Sequence, residues 1–525
     1  MEQGKTISTP FRARLEAAGQ RMRVESAGEY TLPDYQPEIR RVLRVRTRML
    51  PSGRYQRGGR AEYAGLCVHT VLYSAGDGSL ASAELTSEYG FSFAAEDDAV
   101  ISMAPPTVEG VSCRLGGPRK LGIRATLAFT PHVYVEREVG GELGELADDP
   151  DVICLTHRVR SQEPTVLTES DLGYHETLMQ DGTLTPLAVD AVPIVQEVTV
   201  GEQGVGVRGE TLLTILCSGG AQLPETVSHR IPFDTLLACD MAGSEGASAS
   251  AWAQVTALDV SATPSDTGGT AISVDCVLEV EAEMLCPQMQ SPIIDLFSVK
   301  SPLKRVSETV HVTELCGNFT HQCPFTAQVS RSESDSEEAC AVIDTGAALH
   351  ALTWERRGDM LCLTGECRVE MALALGARDP DGTLGHQASC YSVPFAVSLP
   401  IGGKVPEDAE LEVDGRVLSV RGRIEPASLA AECMLGFTVR ASRRSAVTLA
   451  VGAEAEGDGA YPPPPRGEMV AVYPTESDSL WSLARRYRVT PQALAEQNGI
   501  PEEMLSEADL PSSLDGHARM LIEYW

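Results

Sequence analysis

The feature that most constrains this 525-residue chain is a strand pattern that occurs three times. Each copy begins with a glycine and continues as a run in which apolar and polar residues roughly alternate, which is typical of a half-buried β-strand. The three glycines are Gly65, Gly209 and Gly365. The repeat is about 150 residues long, which is too long for a solenoid and suits tandem domains.

Each copy continues with the same order of features. A short aromatic signal follows the glycine strand and ends at Phe91, Phe233 or Phe395. A further pair of strand-like segments then closes each unit. With β-branched strands, frequent Gly, Pro and Asp turns and few helical periods, the sequence predicts a mainly β protein.

These patterns divide the chain into four domains and a linker. We predict three tandem β-rich domains at residues 1–150, 151–290 and 291–451. A Gly/Pro linker follows at 452–468, and a small module occupies 469–525.

The charge, the apolar runs and the cysteines of the sequence limit the kinds of partner and the cellular compartment that we expect for the protein. The 74 acidic and 42 basic residues leave a net charge of −32, which argues against nucleic acid and anionic membranes as partners. No apolar run is long enough for a membrane span, and the start shows no secretory signal. The 14 cysteines contain no C-x-x-C pair, so we expect reduced thiols and a cytoplasmic location.

The start of the C-terminal module predicts a strand and a helix. The strand begins near Met469, and Ser477 or Asp478 is expected to cap the helix that follows. Apolar residues at Leu480, Leu483, Ala484 and Tyr487 give this helix one buried face.

A second helix and a return strand complete the module. Thr490 is the expected cap, Pro491 takes the first helical position, and Asn498-Gly499 is a stop signal. A short strand follows at Met520-Leu521-Ile522, so the predicted order is βααβ.

Residues 477–500, S-D-S-L-W-S-L-A-x-x-Y-x-V-T-x-x-x-L-x-x-x-N-G-I, resemble a LysM domain. The resemblance implies binding to N-acetylglucosamine polymers such as peptidoglycan. It also implies a site on two loops and the start of the first helix. The candidate binding residues are Thr475, Ser477, Asp478, Ser479, Leu480, Trp481, Asn498, Gly499, Ile500 and Leu505.

The module departs from the LysM pattern in ways that suit a protein ligand. Ser477 stands where a glycine commonly precedes the aspartate, and carboxylates such as Glu502 and Glu503 occupy the second loop. The chain ends in Tyr524-Trp525, which could pack on the module itself or serve as an anchor. Trp481 could likewise pack in the core of the module or serve as an anchor for a partner.

The tandem units resemble the SPOCS domains of spore-forming bacteria. The resemblance rests on the order of strands, on the opening L-P-D-Y-Q-P-E-I at residues 32–39, and on Asp295-Leu296-Phe297-Ser298 between units. SPOCS repeats with a C-terminal LysM domain imply a spore-coat morphogenetic protein in the mother-cell cytoplasm at the forespore surface. The implied partner is the coat's morphogenetic ATPase, with peptidoglycan as the alternative ligand.

Two short segments have the composition of chemical sites. Asp344-Thr345-Gly346 matches the aspartic-protease turn, but Asp190 has a similar place in the second unit without Thr-Gly behind it, which favours a structural role. His311, Cys316, His321 and Cys323 could ligate zinc, although strand alternation would spread them over different faces. We therefore predict no enzymatic activity, metal or cofactor.

Overall fold

The three glycine strands are the central strands of three similar β-meanders in the computed structural model. The structure describes residues 11–140, 143, 149–219, 223–265, 268–332, 336, 338–378, 384–402, 405–456, 459–462 and 467–524. Within these residues the protein is mainly β, and the predicted fold class of tandem β domains is confirmed. No helix among them is long and apolar enough to cross a membrane.

The described residues of the first unit contain nine strands. They are β1 Phe11–Ala18, β2 Met22–Thr31, β3 Ile39–Gln56, β4 Arg60–Ala75, β5 Leu80–Ala94, β6 Val100–Ser102, β7 Thr107–Gly117, β8 Lys120–Phe129 and β9 His132–Val139. The meander β3-β4-β5 forms one sheet. This unit has two more three-stranded sheets, with the strand orders β2-β8-β7 and β1-β9-β6.

The second unit repeats this arrangement, and the strands that cover its meander are longer than those of the first unit. They are β10 Val152–Thr156, β11 Val159–Gln180, β12 Leu184–Gly201, β13 Gly204–Gly219, β14 Glu225–Ala238, β15 Ser248–Pro264, β16 Thr270–Gln290 and β17 Ile293–Ser298. The meander is β12-β13-β14, and β11-β16-β15 covers it. β10 and β17 form a separate two-stranded sheet, so pairing in this unit continues to Ser298.

The third unit shows the repeat in its simplest form. Its strands are β18 Leu303–Ser330, β19 Ala339–Arg357, β20 Met360–Arg378, β21 Leu384–Pro400, β22 Glu410–Ile424 and β23 Ser428–Ala455. The sheets are β19-β20-β21 and β18-β23-β22, and their facing apolar side chains form one core. The Gly317-Asn318 pair, which the sequence suggests as a turn, instead lies within β18 next to a bulge.

The spacing between each repeated glycine and its aromatic residue has a steric cause. Gly65 lies opposite Tyr89 rather than the predicted Phe91, whereas Gly209 lies opposite Phe233 and Gly365 opposite Phe395 on the neighbouring strand. A Cβ atom on any of these glycines would come within 3.0 Å of the opposite ring. The ring therefore lies over a position that only glycine can occupy.

Equivalent residues of the three units meet in one apolar cluster. The first and second strands of the meanders supply Leu43 and Leu72, Ala188 and Leu216, and Ile343 and Ala372. Because equivalent positions pack together, the units surround an approximate threefold axis.

Buried ion pairs hold the units together around this axis. Arg440 of the third unit binds Glu283 of the second, and Glu283 also accepts a 2.6 Å hydrogen bond from Tyr134 Oη of the first. Arg54 of the first unit binds Glu279 and Glu281 of the second. Breaking a buried pair of this kind leaves an uncompensated charge, so these contacts fix the arrangement of the units.

All 14 cysteines lie in the described part of the chain, and none forms a disulfide. Six are buried, six are partly buried, and Cys340 and Cys390 are exposed.

The C-terminal module has the predicted order of elements. It comprises β24 Met469–Val472, α1 Leu480–Tyr487, α2 Pro491–Asn498 and β25 Met520–Glu523. Two short 3-10 helices, Glu502–Glu507 and Pro511–Leu514, connect α2 to β25.

Candidate functional site

The cap of the module's first helix lies one residue after Asp478 and two after Ser477, the two predicted caps. Ser479 is the N-cap: its hydroxyl accepts from Ser482 N at 3.1 Å, while Ser479 N donates to Ser482 Oγ at 2.8 Å. This reciprocal capping box satisfies two backbone donors at the helix start. The predicted apolar face of α1 is confirmed, since Leu480, Leu483 and Ala484 are buried.

Asp478 closes the loop before α1 instead of capping the helix. Its carboxylate accepts 2.9 Å hydrogen bonds from both Thr475 N and Thr475 Oγ1, and a 2.6 Å bond from Arg486 Nη2. The backbone hydrogen bond from Thr475 is the main reason that the pKa of Asp478 lies below its usual value. The loop therefore has a fixed shape with an ionised aspartate beneath it.

The caps predicted for α2 are confirmed. Thr490 Oγ1 accepts from Ala493 N at 3.1 Å, Pro491 begins the helix, and Gly499 ends it with a φ of 66°. A φ in this left-handed region favours glycine. Asn498 then ties the helix to β25, because its amide exchanges hydrogen bonds of 2.6 and 2.7 Å with the Leu521 backbone.

The candidate binding residues divide into exposed and buried groups. Three are exposed, and they lie at the tips of the two loops: Thr475, Ser477 and Gly499. Asn498 and Leu505 are partly buried. The buried ones are Asp478, Ser479, Leu480, Trp481 and Ile500. A ligand of the module would therefore contact the loop tips, while the buried residues shape the loops from below.

Trp481 contacts the second β unit. Its indole Nε1 donates to Asp295 Oδ2 at 2.8 Å, and its ring packs edge-on against Phe297 with the centroids 5.0 Å apart. Arg485 Nη1 lies 3.0 Å from the same carboxylate oxygen. Trp481 is 6% exposed, so one face of α1 is used to dock the module onto β17.

Apolar packing extends this docked interface. Leu155 of β10 and Phe297 of β17 share one cluster with Leu480, Trp481 and Leu514 of the module. His157 Nδ1 lies 4.0 Å from Asp509 Oδ2 at the edge of the same interface. Sequence reasoning found Asp295-Leu296-Phe297-Ser298 as a signal between units but not its partner, because the two segments are about 190 residues apart.

The basic residues at the end of α1 are all engaged within the chain. Arg485 binds Asp295, Arg486 binds Asp478, and the Arg488 guanidinium lies 3.4 Å from the centroid of the Tyr461 ring. Glu476, Glu502 and Glu503 are exposed. The free loop edge of the module is therefore acidic.

The first strand of the module and the residue after it also leave apolar side chains in solvent. Met469 is 58% exposed and Tyr473 is 72% exposed. They alternate along β24 with the partly or fully buried Val470 and Val472, which face the helices. This second surface lies next to the loop that begins at Thr475.

Both segments that resemble chemical sites lie within β-strands. Asp344 lies within β19 and binds Arg44 and Arg46 of the first unit. Burial opposes its ionisation, but the two guanidiniums outweigh burial and hold the pKa of Asp344 below its usual value. His311, Cys316, His321 and Cys323 all lie on β18, and no group of three metal-ligating side chains occurs among the described residues.

Comparison with known proteins finds one family match. Residues 475–506 match the LysM domain family. No curated protein and no solved structure matches the chain significantly. The matched segment runs from the first loop through α1 and α2 to the second loop, and this domain supports carbohydrate binding, for example to peptidoglycan. The C-terminal module is therefore a LysM domain.

Proposed function

We propose that this protein is a non-enzymatic adaptor of spore-coat assembly. In this proposal it acts in the mother-cell cytoplasm at the forespore surface, where its LysM domain docks onto the coat's morphogenetic ATPase. Three similar β units followed by a LysM domain resemble the organisation of SipL, a spore-coat morphogenetic protein. The threefold packing of the units supports a role as a rigid scaffold that presents the LysM domain.

The observation that carries the proposal is the charge of the free loop edge. Because Arg485, Arg486 and Arg488 have partners within the chain, the side chains left at the loops are mainly Glu476, Glu502 and Glu503. An acidic edge favours a basic protein surface over a neutral glycan. The exposed Met469 and Tyr473 add apolar area of the kind found at the centre of protein interfaces.

The absence of an enzymatic role is part of the proposal. The carboxylate that most resembles a catalytic one, Asp344, is buried between two arginines and is held ionised. An aspartic-protease pair must instead share a proton between two carboxylates. The environment of Asp344 therefore favours a structural role.

Charge reversal at the loop edge tests the adaptor proposal. The double variant Glu502→Lys/Glu503→Lys, in the full chain, should weaken binding to the ATPase by at least about tenfold, because like charges would meet across the interface. The matched control is Glu355→Lys, which changes an exposed glutamate in the β body, the part of the protein formed by the three β units. Unchanged affinity in the double variant, with the fold intact by circular dichroism, would contradict the proposal.

A second candidate function is binding of an N-acetylglucosamine polymer. The family match and the exposed Thr475, Ser477 and Gly499 at the loop tips favour it. A fluorescent fusion separates the candidates in cells. A ring at the forespore surface supports the adaptor, and retention in the cell wall supports the glycan-binding protein.

A further inference from the structure

A large cavity lies between the first and third β units, away from the LysM domain. Its volume is about 1440 Å³, and Val189 and Asp190 of the second unit also line it. A pocket at the junction of the first and second units, beside Arg54 and Gln254, measures only about 20 Å³. The two junctions therefore differ, although the units are similar.

Arginine dominates the charged lining of this cavity. Nine arginines and six acidic residues line it, in a chain whose total charge is −32. The arginines are Arg21, Arg23, Arg44, Arg46, Arg48, Arg368, Arg416, Arg440 and Arg444. The acidic residues are Glu16, Glu109, Asp190, Glu370, Glu410 and Glu412.

Most of these arginines have structural partners. Arg44 and Arg46 bind Asp344, and Arg440 binds Glu283. Arg21 and Arg23 bind Glu109, while Arg368 lies 3.4 Å from Glu370. These guanidiniums already have carboxylate partners and are not free to bind a ligand.

Arg416 is different. Among the described residues its contact is a 3.4 Å hydrogen bond to the Pro193 carbonyl, and no carboxylate reaches it. The side chain is accessible to the cavity, yet the surrounding units desolvate it enough to lower the pKa of its guanidinium. Arg416 is exposed to the cavity and forms no ion pair, although the charge of Asp414 acts on it at longer range, so its guanidinium is open to an anionic ligand.

Arg48 provides a second, independent observation. Its Nη2 reaches Glu84 at 3.1 Å, but its Nε is buried and has no hydrogen-bond acceptor in the described part of the chain. Buried donors are nearly always satisfied in folded proteins. The cavity wall therefore contains one exposed guanidinium without an ion pair, Arg416 of the third unit, and one arginine of the first unit, Arg48, whose buried Nε lacks an acceptor.

We infer that this cavity is a binding site for a small molecule that carries clustered oxyanions, either phosphate or carboxylate groups. The planar guanidinium fork matches both groups in a bidentate manner. The volume is ample for such a ligand, since small-molecule sites commonly measure about 300–1,000 Å³. Arg416 and Arg48 would bind it, and the ion-paired arginines around them would hold the site in shape.

The test is a titration of the full chain with pyrophosphate and with citrate, which separates phosphate from carboxylate recognition. At least one probe should bind with a dissociation constant below about 1 mM and raise the unfolding midpoint. Arg416→Gln should weaken that binding at least tenfold. The control Arg357→Gln, which removes an exposed arginine of the β body, should not change it.

The unfolding midpoint without a probe distinguishes a binding role from a structural one. Arg416→Gln should leave it unchanged or raise it, because the variant removes an unpaired cation. Failure of both probes to bind the wild type, equal binding by Arg416→Gln, or a midpoint several degrees lower in that variant would each overturn the inference.

Discussion

The β body and the LysM domain are held in place by different kinds of contact. Ion pairs such as Arg440–Glu283 join the three units at positions almost closed to water. The LysM domain instead docks on β17 through Trp481 and a half-exposed arginine, Arg485. Arginine–carboxylate pairs therefore have two uses: buried pairs fix the three β units against one another, and the partly exposed Arg485–Asp295 pair orients the LysM domain.

The largest effect is expected at the junction of all three units. Glu283→Ala would leave Arg440 buried without its partner, which costs about 3–5 kcal/mol of unfolding free energy. Chemical denaturation measures this loss. The exposed Glu355→Ala should not change stability measurably, and equal effects of the two variants would show that the buried pair has no special role.

A buried histidine gives the body a pH dependence. His69 is fully buried, and burial lowers its pKa from 6.5 to about 4. The unfolded chain therefore binds more protons in this window, so stability falls as the pH drops from about 6.5 to about 4. The loss should be on the order of 2 kcal/mol, because the Thr47 and Ser87 hydroxyls partly solvate the ring. Thermal melts of His69→Gln should lack this decline, and a decline of the same size would assign it to other groups.

The docking contact should be weaker than either feature of the body. Asp295→Ala removes the acceptor of Trp481 Nε1 and Arg485, at a cost of about 1–2 kcal/mol to docking. Once the domain is no longer docked, trypsin should cut the linker before it, at residues 452–467, faster than in the wild type, while the β body resists cleavage. Asp275→Ala, an exposed aspartate of the same unit, is the matched control. Unchanged cleavage kinetics in Asp295→Ala would contradict the docking contact.

The smallest effect is expected within the LysM domain. Ser479→Ala removes the N-cap of α1 and should cost about 1 kcal/mol, because the backbone N–H of Ser482 loses its acceptor. Heteronuclear NMR of the domain signals would follow its local unfolding. Ser477→Ala, which caps nothing, should leave that unfolding unchanged, whereas an equal effect would restore Ser477 as the cap.

Local patterns predicted the elements of the LysM domain and several strands of the β units, but they misplaced a turn at Gly317-Asn318, which lies within β18. Alternation identified the strands around Gly65, Gly209 and Gly365, and Thr490-Pro491 with Gly499 marked both ends of α2. The first cap was misplaced because Ser477, Asp478 and Ser479 are all good N-caps, and only the geometry shows that Asp478 binds Thr475 instead.

Contacts between the regions could not be predicted in this way. Arg44 and Asp344 are 300 residues apart, and no local pattern identifies them as partners. Trp481 fits either a core or an interface until its neighbours Asp295 and Phe297 are known. The same holds for the cavity, whose walls come mainly from the first and third units.

Parallel titrations test the central claim, that the exposed LysM loops of the docked domain bind a protein. The full chain would be titrated with the coat ATPase and, separately, with chitin oligomers. We expect binding to the ATPase that weakens with salt and is lost in Glu502→Lys/Glu503→Lys, with no sugar binding at micromolar concentrations. Micromolar binding of chitin oligomers without detectable binding of the ATPase would contradict the account.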